Sequence, residues 1–491
     1  MKDKNRNKTI VRIIGFVMLI TGTAMIIPWI FSFADGDAVS LRGFKFVCPA
    51  GIIAGGIVVR LMKGKGGSFS IREGYITVSV CWLTAILLGA FPYYLSGFAD
   101  TVTDAVFEST SGFTTTGCSS IGERSLPRGL MLWKALSNWL GGMGILVFVI
   151  CLLPALGIRG QYLAKAETPG PTLIKAAATM KSSAGFLYLT YIFLTIAELI
   201  LLIASGKMPV YDAVINTMGS ISTGGLTVHP EGVAFYDSLY VEIVISFFCI
   251  LSALNFVLYH SFAVGQIKRF FADGELRTFL MIIACGIIMC FLGLVFINKE
   301  TWPEAFRDSG FQVISMATTA GYIRSPELVW PTMCKLVILA LVFIGGCSAS
   351  TSGSVKVYRI IVMVDLVKRE IKKRIHPRAV YPIKINGETV PPKLASSIAS
   401  FIILYLDLLL LSVFVLSFQT GSLEIALTTS LDMLSNTGAA FGGMATLGNL
   451  EGFNAFIKLY LCSMMIAGRL ELYTVVMMFS KSFWKRNYSR F

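Results

Sequence analysis

Four short segments, each set between long apolar stretches, fall into one register when a single glycine from each is the anchor: Gly117, Gly225, Gly321 and Gly438. Three residues before the anchors stand Thr114, Ser222, Thr318 and Ser435, and two before them Thr115, Thr223, Thr319 and Asn436. Thirteen before the first three anchors stand Asp104, Asp212 and Asp308, and the fourth segment carries Glu424 one position further out. The pattern suits a short helix that descends part-way into a membrane and returns as extended chain through a narrow passage. A dehydrated cation needs oxygens there, and successive carbonyls face one axis only at backbone angles that glycine adopts without a Cβ clash. Ser, Thr and Asn beside the glycine can satisfy the irregular backbone, where each unpaired group at membrane depth costs roughly several kcal/mol. An acid near the start of each short helix is favoured by the positive end of the helix dipole and is expected at the outer mouth.

With 55% hydrophobic and 14% charged positions among 491 residues, the chain is too apolar for a soluble protein of its size. It reads as an all-α polytopic membrane protein. Apolar spans are expected near 9–33, 46–62, 76–97, 133–156, 184–205, 238–263, 278–297, 334–350, 395–417 and 455–480. Lys and Arg crowd the N-terminus, residues 63–72, 159–181 and 268–277, the run Lys368 to Arg378, and the tail. All six clusters fall on one face if the ten spans hold, which places that face and both termini in the cytoplasm and opens the glycine-anchored loops outward. The net charge of +14 is then topological and implies no nucleic-acid partner. The first span is expected to stay as an uncleaved anchor. The ten cysteines, without CxxC pairing, are expected to be reduced and buried.

The anchors lie 108, 96 and 117 residues apart, so the unit is about one hundred residues of apolar span, loop and apolar span. The expected divisions are residues 1–70, two additional N-terminal transmembrane helices; 71–182, 183–277 and 278–367, the first three units; 368–394, a cytoplasmic linker or hairpin; and 395–491, the fourth unit. Gly51 and Gly55 have the spacing of a close helix contact. In the third unit the second span is interrupted by GGCSASTSGSVKVYR, Gly345 to Arg359. Non-helical backbone survives at that depth only when it lines a cavity or is covered by protein, so a gate below the loops is expected, with tight small-residue packing as the alternative. Arg469 stands in an apolar span, where it either sets a barrier to a cation or pairs with Glu471.

No phosphate-binding loop, HExxH or GxSxG occurs; GKGG at 64–67 lacks the phosphate-loop spacing, and three histidines stand far apart. An intramembrane enzyme would need a convergent polar cluster that the sequence does not assemble. The membrane potential, worth about 2.3 kcal/mol per charge per 100 mV, can drive a cation without a nucleotide site in this chain.

The segments SGFTTTGCS, RGQYLAKAETPGP, STGGLT, TTAGY, GGCSASTSGSVKVYR, HPRAVYPIKINGETV, SNTGAAFG and GRLELYTV, in this order, resemble the membrane subunit of Trk-type potassium uptake systems in the Trk/Ktr/HKT superfamily. The resemblance implies four membrane-pore-membrane repeats around a pseudo-fourfold pore. It further implies a bound and transported potassium ion, no organic cofactor, a homodimer, and a cytoplasmic nucleotide-binding regulatory subunit, all at the bacterial inner membrane. It assigns the potassium filter to Thr115, Thr116 and Gly117, to Thr223, Gly224 and Gly225, to Thr319, Ala320 and Gly321, and to Asn436, Thr437 and Gly438. The gate residues it implies are Gly345, Gly346, Ser350, Thr351, Gly353 and Lys356, and the pore barrier is Arg469. Leu226 and Ser354 depart from the family's usual Phe and Gly. The expected function is potential-driven potassium uptake; the alternative is a sodium-permeable or cation-coupled secondary transporter of another substrate.

Overall fold

The computed structural model describes residues 2–63, 71–121, 126–144, 180–324, 330–438 and 450–484. The segments 64–67 and Arg159 to Pro171, most of the basic runs at 63–72 and 159–181, the second half of the expected span 133–156, Cys151, the end of SNTGAAFG and residues 485–491 lie outside the described residues.

The chain opens with α1 (Lys2–Ala24), α2 (Ile26–Asp35) and α3 (Ala38–Leu61). The first glycine-anchored segment follows α4 (Ile71–Leu95) and α5 (Val102–Phe113) and precedes α6 (Arg128–Gly142). The second lies between α7 (Met180–Ala204), α8 (Val210–Ile221) and α9 (Leu239–Ala253), after which come α10 (Phe256–Ala263) and α11 (Ile267–Phe271). The third uses α12 (Gly274–Gly293), α13 (Trp302–Ala317), α14 (Thr332–Ile344) and α15 (Val357–Ile375). The fourth uses α16 (Pro392–Ser417), α17 (Leu423–Ser435), α18 (Ala455–Arg469), α19 (Tyr473–Phe479) and α20 (Lys481–Trp484). The all-α polytopic class holds: among the described residues, six helical segments are long and apolar enough to cross a membrane, Asn7–Asp35, Ala38–Leu61, Arg72–Leu95, Gly185–Ala204, Gly274–Asn298 and Pro392–Ser417.

The other expected spans are not single helices. The helices that follow the anchors, α6, α9, α14 and α18, run for only 13 to 15 residues, short of the ~20 that cross a bilayer. The expected span 238–263 bends by 95° between α9 and α10. Asn255 accounts for the break, because its side chain accepts from the Val257 amide and starts a new helix. Span 334–350 stops at Gly345, and span 455–480 breaks around Glu471, at φ 54.

The stretch 368–394 is helical at both ends. Helix α15 continues to Ile375 because its basic residues alternate with apolar ones, and α16 already starts at Pro392. Between them β1 (Lys384–Ile385) and β2 (Glu388–Thr389) pair antiparallel across Asn386 and Gly387, both at positive φ as a tight hairpin turn requires. Asn386 docks this hairpin on the start of α12, accepting from Gly274 N at 2.7 Å and donating to Asp273 at 2.7 Å. Of the nine described cysteines, none of them in a disulfide, eight are buried and Cys285 is exposed, against expectation. It faces a groove between α12 and α14.

Helices α1 and α3 cross on glycines. A Cβ on Gly55 would stand 2.6 Å from Leu19 N and 2.8 Å from Gly15 O, whereas one on the adjacent Gly56 would meet nothing. Gly55→Leu should therefore lower the detergent melting temperature, at a cost of about 1–3 kcal/mol for overpacking, while Gly56→Leu should leave it unchanged.

Candidate functional site

Each short helix ends in the same turn. Thr116 N donates to Ser111 O at 3.0 Å, Gly224 N to Gly219 O at 2.7 Å, Ala320 N to Ser315 O at 2.9 Å and Thr437 N to Asp432 O at 3.0 Å. Such a bond closes the last turn around one left-handed residue, usually Gly or Asn. Here the left-handed residues are Thr115 (φ 57), Thr223 (φ 55), Thr319 (φ 56) and Asn436 (φ 57), two before each anchor. For β-branched threonine this geometry costs on the order of 1–3 kcal/mol each. Side-chain bonds offset the strain: Thr223 Oγ1 donates to Ser222 O at 2.7 Å, Thr319 Oγ1 lies 3.0 Å from Ser352 Oγ, and Asn436 Nδ2 donates to Met465 O at 2.9 Å.

The anchors are left-handed as well, at φ 77, 59, 76 and 83 in chain order. In the first three turns the anchor N–H reaches the same helix carbonyl as the residue before it: Gly117 N to Ser111 O at 3.3 Å, Gly225 N to Gly219 O at 3.3 Å and Gly321 N to Ser315 O at 3.4 Å. In a trans peptide the C=O points opposite to the N–H. The carbonyls of Thr115 and Thr116, Thr223 and Gly224, and Thr319 and Ala320 therefore face away from their helices. Three of them, at Thr116, Gly224 and Ala320, abut a neighbouring turn. A Cβ added to Gly117 would land on the Gly224 carbonyl, one on Gly225 on the Ala320 carbonyl, and one on Gly438 on the Thr116 carbonyl. Asn436 Nδ2 also donates to Thr116 Oγ1 at 3.2 Å. The twelve residues assigned from sequence thus come together, turn against turn, and all but the anchors of this set are buried by more than nine-tenths where they carry side chains.

The acids at the helix starts differ from expectation. Asp308 lies in the interior of α13, whose first turn holds Glu304 instead. All four acids are engaged: Asp104 with Lys458 at 2.6 Å, Asp212 with His229 at 3.0 Å and Tyr236 at 2.9 Å, Asp308 with Arg324, and Glu424 with Lys335 at 3.0 Å. They fasten the short helices to neighbouring elements. A second polar register, nine before the anchors, escaped the sequence reading: Glu108, Asn216, Gln312 and Thr429. Glu108 accepts from Ser119 Oγ and Ser120 N at 2.7 and 2.8 Å, and Gln312 Nε2 donates to Tyr322 O at 3.3 Å, so both hold the returning limb.

On the other side of the turns the four interrupted helices converge. A cavity of about 100 Å³ is lined by Gly142 to Gly144 at the end of α6, Phe256 at the start of α10, Ala349, Ser350, Ser352 to Ser354 and Lys356 before α15, and Gly468, Arg469 and Glu471 at the end of α18. The loop between α14 and α15 folds on itself, with Gly346 N donating to Ser352 Oγ at 2.9 Å and Lys356 N to Ile344 O at 2.8 Å. Gly345 takes φ 72 and Lys356 φ 82. Lys356 Nζ donates to Ser350 Oγ at 3.3 Å and to the Ser352 carbonyl. Thr351 Oγ1 donates to Ser252 O at 3.0 Å, and buried Glu275 accepts from Ser348 N at 2.6 Å. The loop reaches the turns themselves: Gly353 N donates to Thr319 Oγ1 at 2.8 Å, and a Cβ on Gly353 would meet the Ser435 carbonyl. Arg469 donates to Thr351 O and Gly141 O, each at 2.7 Å, and to Gly142 O at 2.5 Å. The negative end of the α6 dipole holds this cation. Glu471 pairs with Arg359 at 2.6 Å.

A family model described as TrkH, cation transport protein, matches residues 50–490. The chain belongs to the TrkH family. It is 32% identical to the Trk system potassium uptake protein TrkH of Salmonella typhimurium, over 97% of this chain and 99% of that one. It is 30% identical to the Trk system potassium uptake protein TrkG of Escherichia coli, over 97% and 99%. The crystal structure of the potassium transporter TrkH from Vibrio parahaemolyticus superposes with a TM-score of 0.85 at 28% identity, covering 97% of this chain and 99% of that one. As a member of the TrkH family the protein is a multi-pass membrane ion transporter and not an enzyme.

The shared turn makes a direct prediction. Thr115→Asn, which installs the residue that the fourth turn uses, should keep the melting temperature and cation flux near wild type. Thr115→Pro, with φ held near −65°, should cost about 3 kcal/mol or more and abolish flux.

Proposed function

We propose that this chain takes up potassium across the bacterial inner membrane through a gated pore driven by the membrane potential. The observation that carries the reading is the contact of three of these carbonyls, at Thr116, Gly224 and Ala320, with the anchor glycine of a neighbouring turn. Carbonyls so arranged can replace the water shell of a stripped ion. The filter comprises Thr115 to Gly117, Thr223 to Gly225, Thr319 to Gly321 and Asn436 to Gly438, four membrane-pore-membrane units around one axis. The printed names of the relatives, potassium uptake proteins of Trk systems, support potassium as the cargo.

The loop Gly345 to Lys356 is the gate and Arg469 the barrier beneath the filter. The ~100 Å³ cavity is cramped and carries two cationic side chains, which opposes passage of a cation and fits a closed state. On this reading both termini and the hairpin at 384–389 face the cytoplasm, where a nucleotide-binding regulatory subunit would dock on a homodimer of this chain.

Expression in a bacterium lacking potassium uptake should restore growth at low potassium, and no rescue with or without the regulatory subunit would overturn the reading. Gly225→Ser, which pushes a side chain into the Ala320 carbonyl, should lower the potassium-to-sodium permeability ratio. Deleting Ser348 to Gly353, or replacing Arg469 by Ala, should raise potassium flux per molecule; unchanged flux in both would remove the gate and the barrier.

A further inference from the structure

Behind the first turn lies a fully buried ion pair that neither gate nor filter uses. Lys134 on α6 and Glu108 on α5 have side chains 2% and 0% exposed and meet at 2.7 Å. Lys134 Nζ also donates to Cys118 O at 2.8 Å, on the residue that follows the anchor Gly117. The same carbonyl accepts from Ser111 Oγ at 2.6 Å. The other oxygen of Glu108 receives Ser119 Oγ and Ser120 N. The pair therefore grips three consecutive residues of the returning limb from outside the ring.

The third turn shows the neutral counterpart. Tyr322 O, one after Gly321, accepts from Ser315 Oγ at 2.9 Å and from Gln312 Nε2 at 3.3 Å. The register positions are the same, with an amide where the first turn has a carboxylate and a lysine. In both turns the carbonyl after the anchor is drawn back into the protein, so it is withheld from the passage. Of these two, the first turn achieves this with charge-assisted bonds, which are shorter and stronger than neutral ones.

We propose that the Glu108–Lys134 pair is a positioning clamp that sets potassium-over-sodium discrimination by stiffening the first turn. Sodium, the smaller ion, is accommodated only if the surrounding carbonyls close in on it. A limb held at Cys118, Ser119 and Ser120 keeps the Thr115 and Thr116 carbonyls from following. Neither clamp residue touches the ion. The inference rests on the uptake function proposed above.

The test is the potassium-to-sodium permeability ratio of the full chain in proteoliposomes, read from reversal potentials and so independent of the amount reconstituted. The variant E108Q/K134Q removes both charges together, leaves no buried unpaired ion, and gives the first turn an amide like that of Gln312. Its ratio should fall about tenfold, as the loss of one charge-assisted bond on one side of the ring implies. Ser119→Ala, which removes one bond to Glu108 and no charge, should lower the ratio in the same direction by about twofold. A wild-type ratio in E108Q/K134Q overturns the clamp; should that protein not reach the membrane, a wild-type ratio in Ser119→Ala overturns it instead. A wild-type chain that passes potassium and sodium equally overturns the uptake function, and the clamp with it.

Discussion

The structure depends on one repeated bond, from the amide before each anchor glycine back to the helix carbonyl five residues earlier. A helix end leaves its last carbonyls unpaired, and in a membrane no water is at hand to take them. Closing that deficit with main-chain N–H groups turns the linked C=O groups outward. Helix termination and oxygen presentation are thus one event. The cost is a threonine held left-handed three times over, and the turns contact one another closely enough that a side chain on Gly117, Gly225 or Gly438 would strike a neighbour's backbone.

Charge is handled by the same economy. Lys458, His229, Arg324 and Lys335 hold the acids Asp104, Asp212, Asp308 and Glu424 of the short helices, and Arg469 rests on carbonyls at the end of α6 and within the interrupted loop. Glycines let these ends approach: a Cβ on Gly141 would strike the Phe113 carbonyl, and one on Gly468 the Leu434 carbonyl. Glu198, buried in α7, accepts from Ser220 Oγ at 2.6 Å and ties the second short helix to its preceding span. Pairing inside the protein is what allows so many ionisable groups at membrane depth.

Much of this was legible in the residues. The glycine register marks where the turns lie, and the hydroxyls before it mark which side chains support them. The interruption after Ile344 is visible as a run of small residues. The sequence hid what depends on partners far away in the chain. Asp104 reads as a free acid at a mouth until Lys458 is brought beside it, more than three hundred residues on. The breaks at Asn255 and Glu471 lie in stretches whose hydropathy suits continuous helices, because hydropathy reports burial and not hydrogen-bond geometry. The register of Glu108, Asn216, Gln312 and Thr429 was readable from the same alignment of segments that exposed the glycines.

The interrupted loop is wedged between the third and fourth turns, with Gly353 bonded to the Thr319 hydroxyl and pressed on the Ser435 carbonyl. A wedge cannot be withdrawn without relaxing the hoop it splits. With the loop as gate and the hoop as filter, as proposed above, throughput and ion preference would not be separate dials: a conformation that widened the lower vestibule would also free a hydroxyl and a carbonyl at the hoop's edge, and an ion arriving there would meet a different set of oxygens from the one presented when the way was shut.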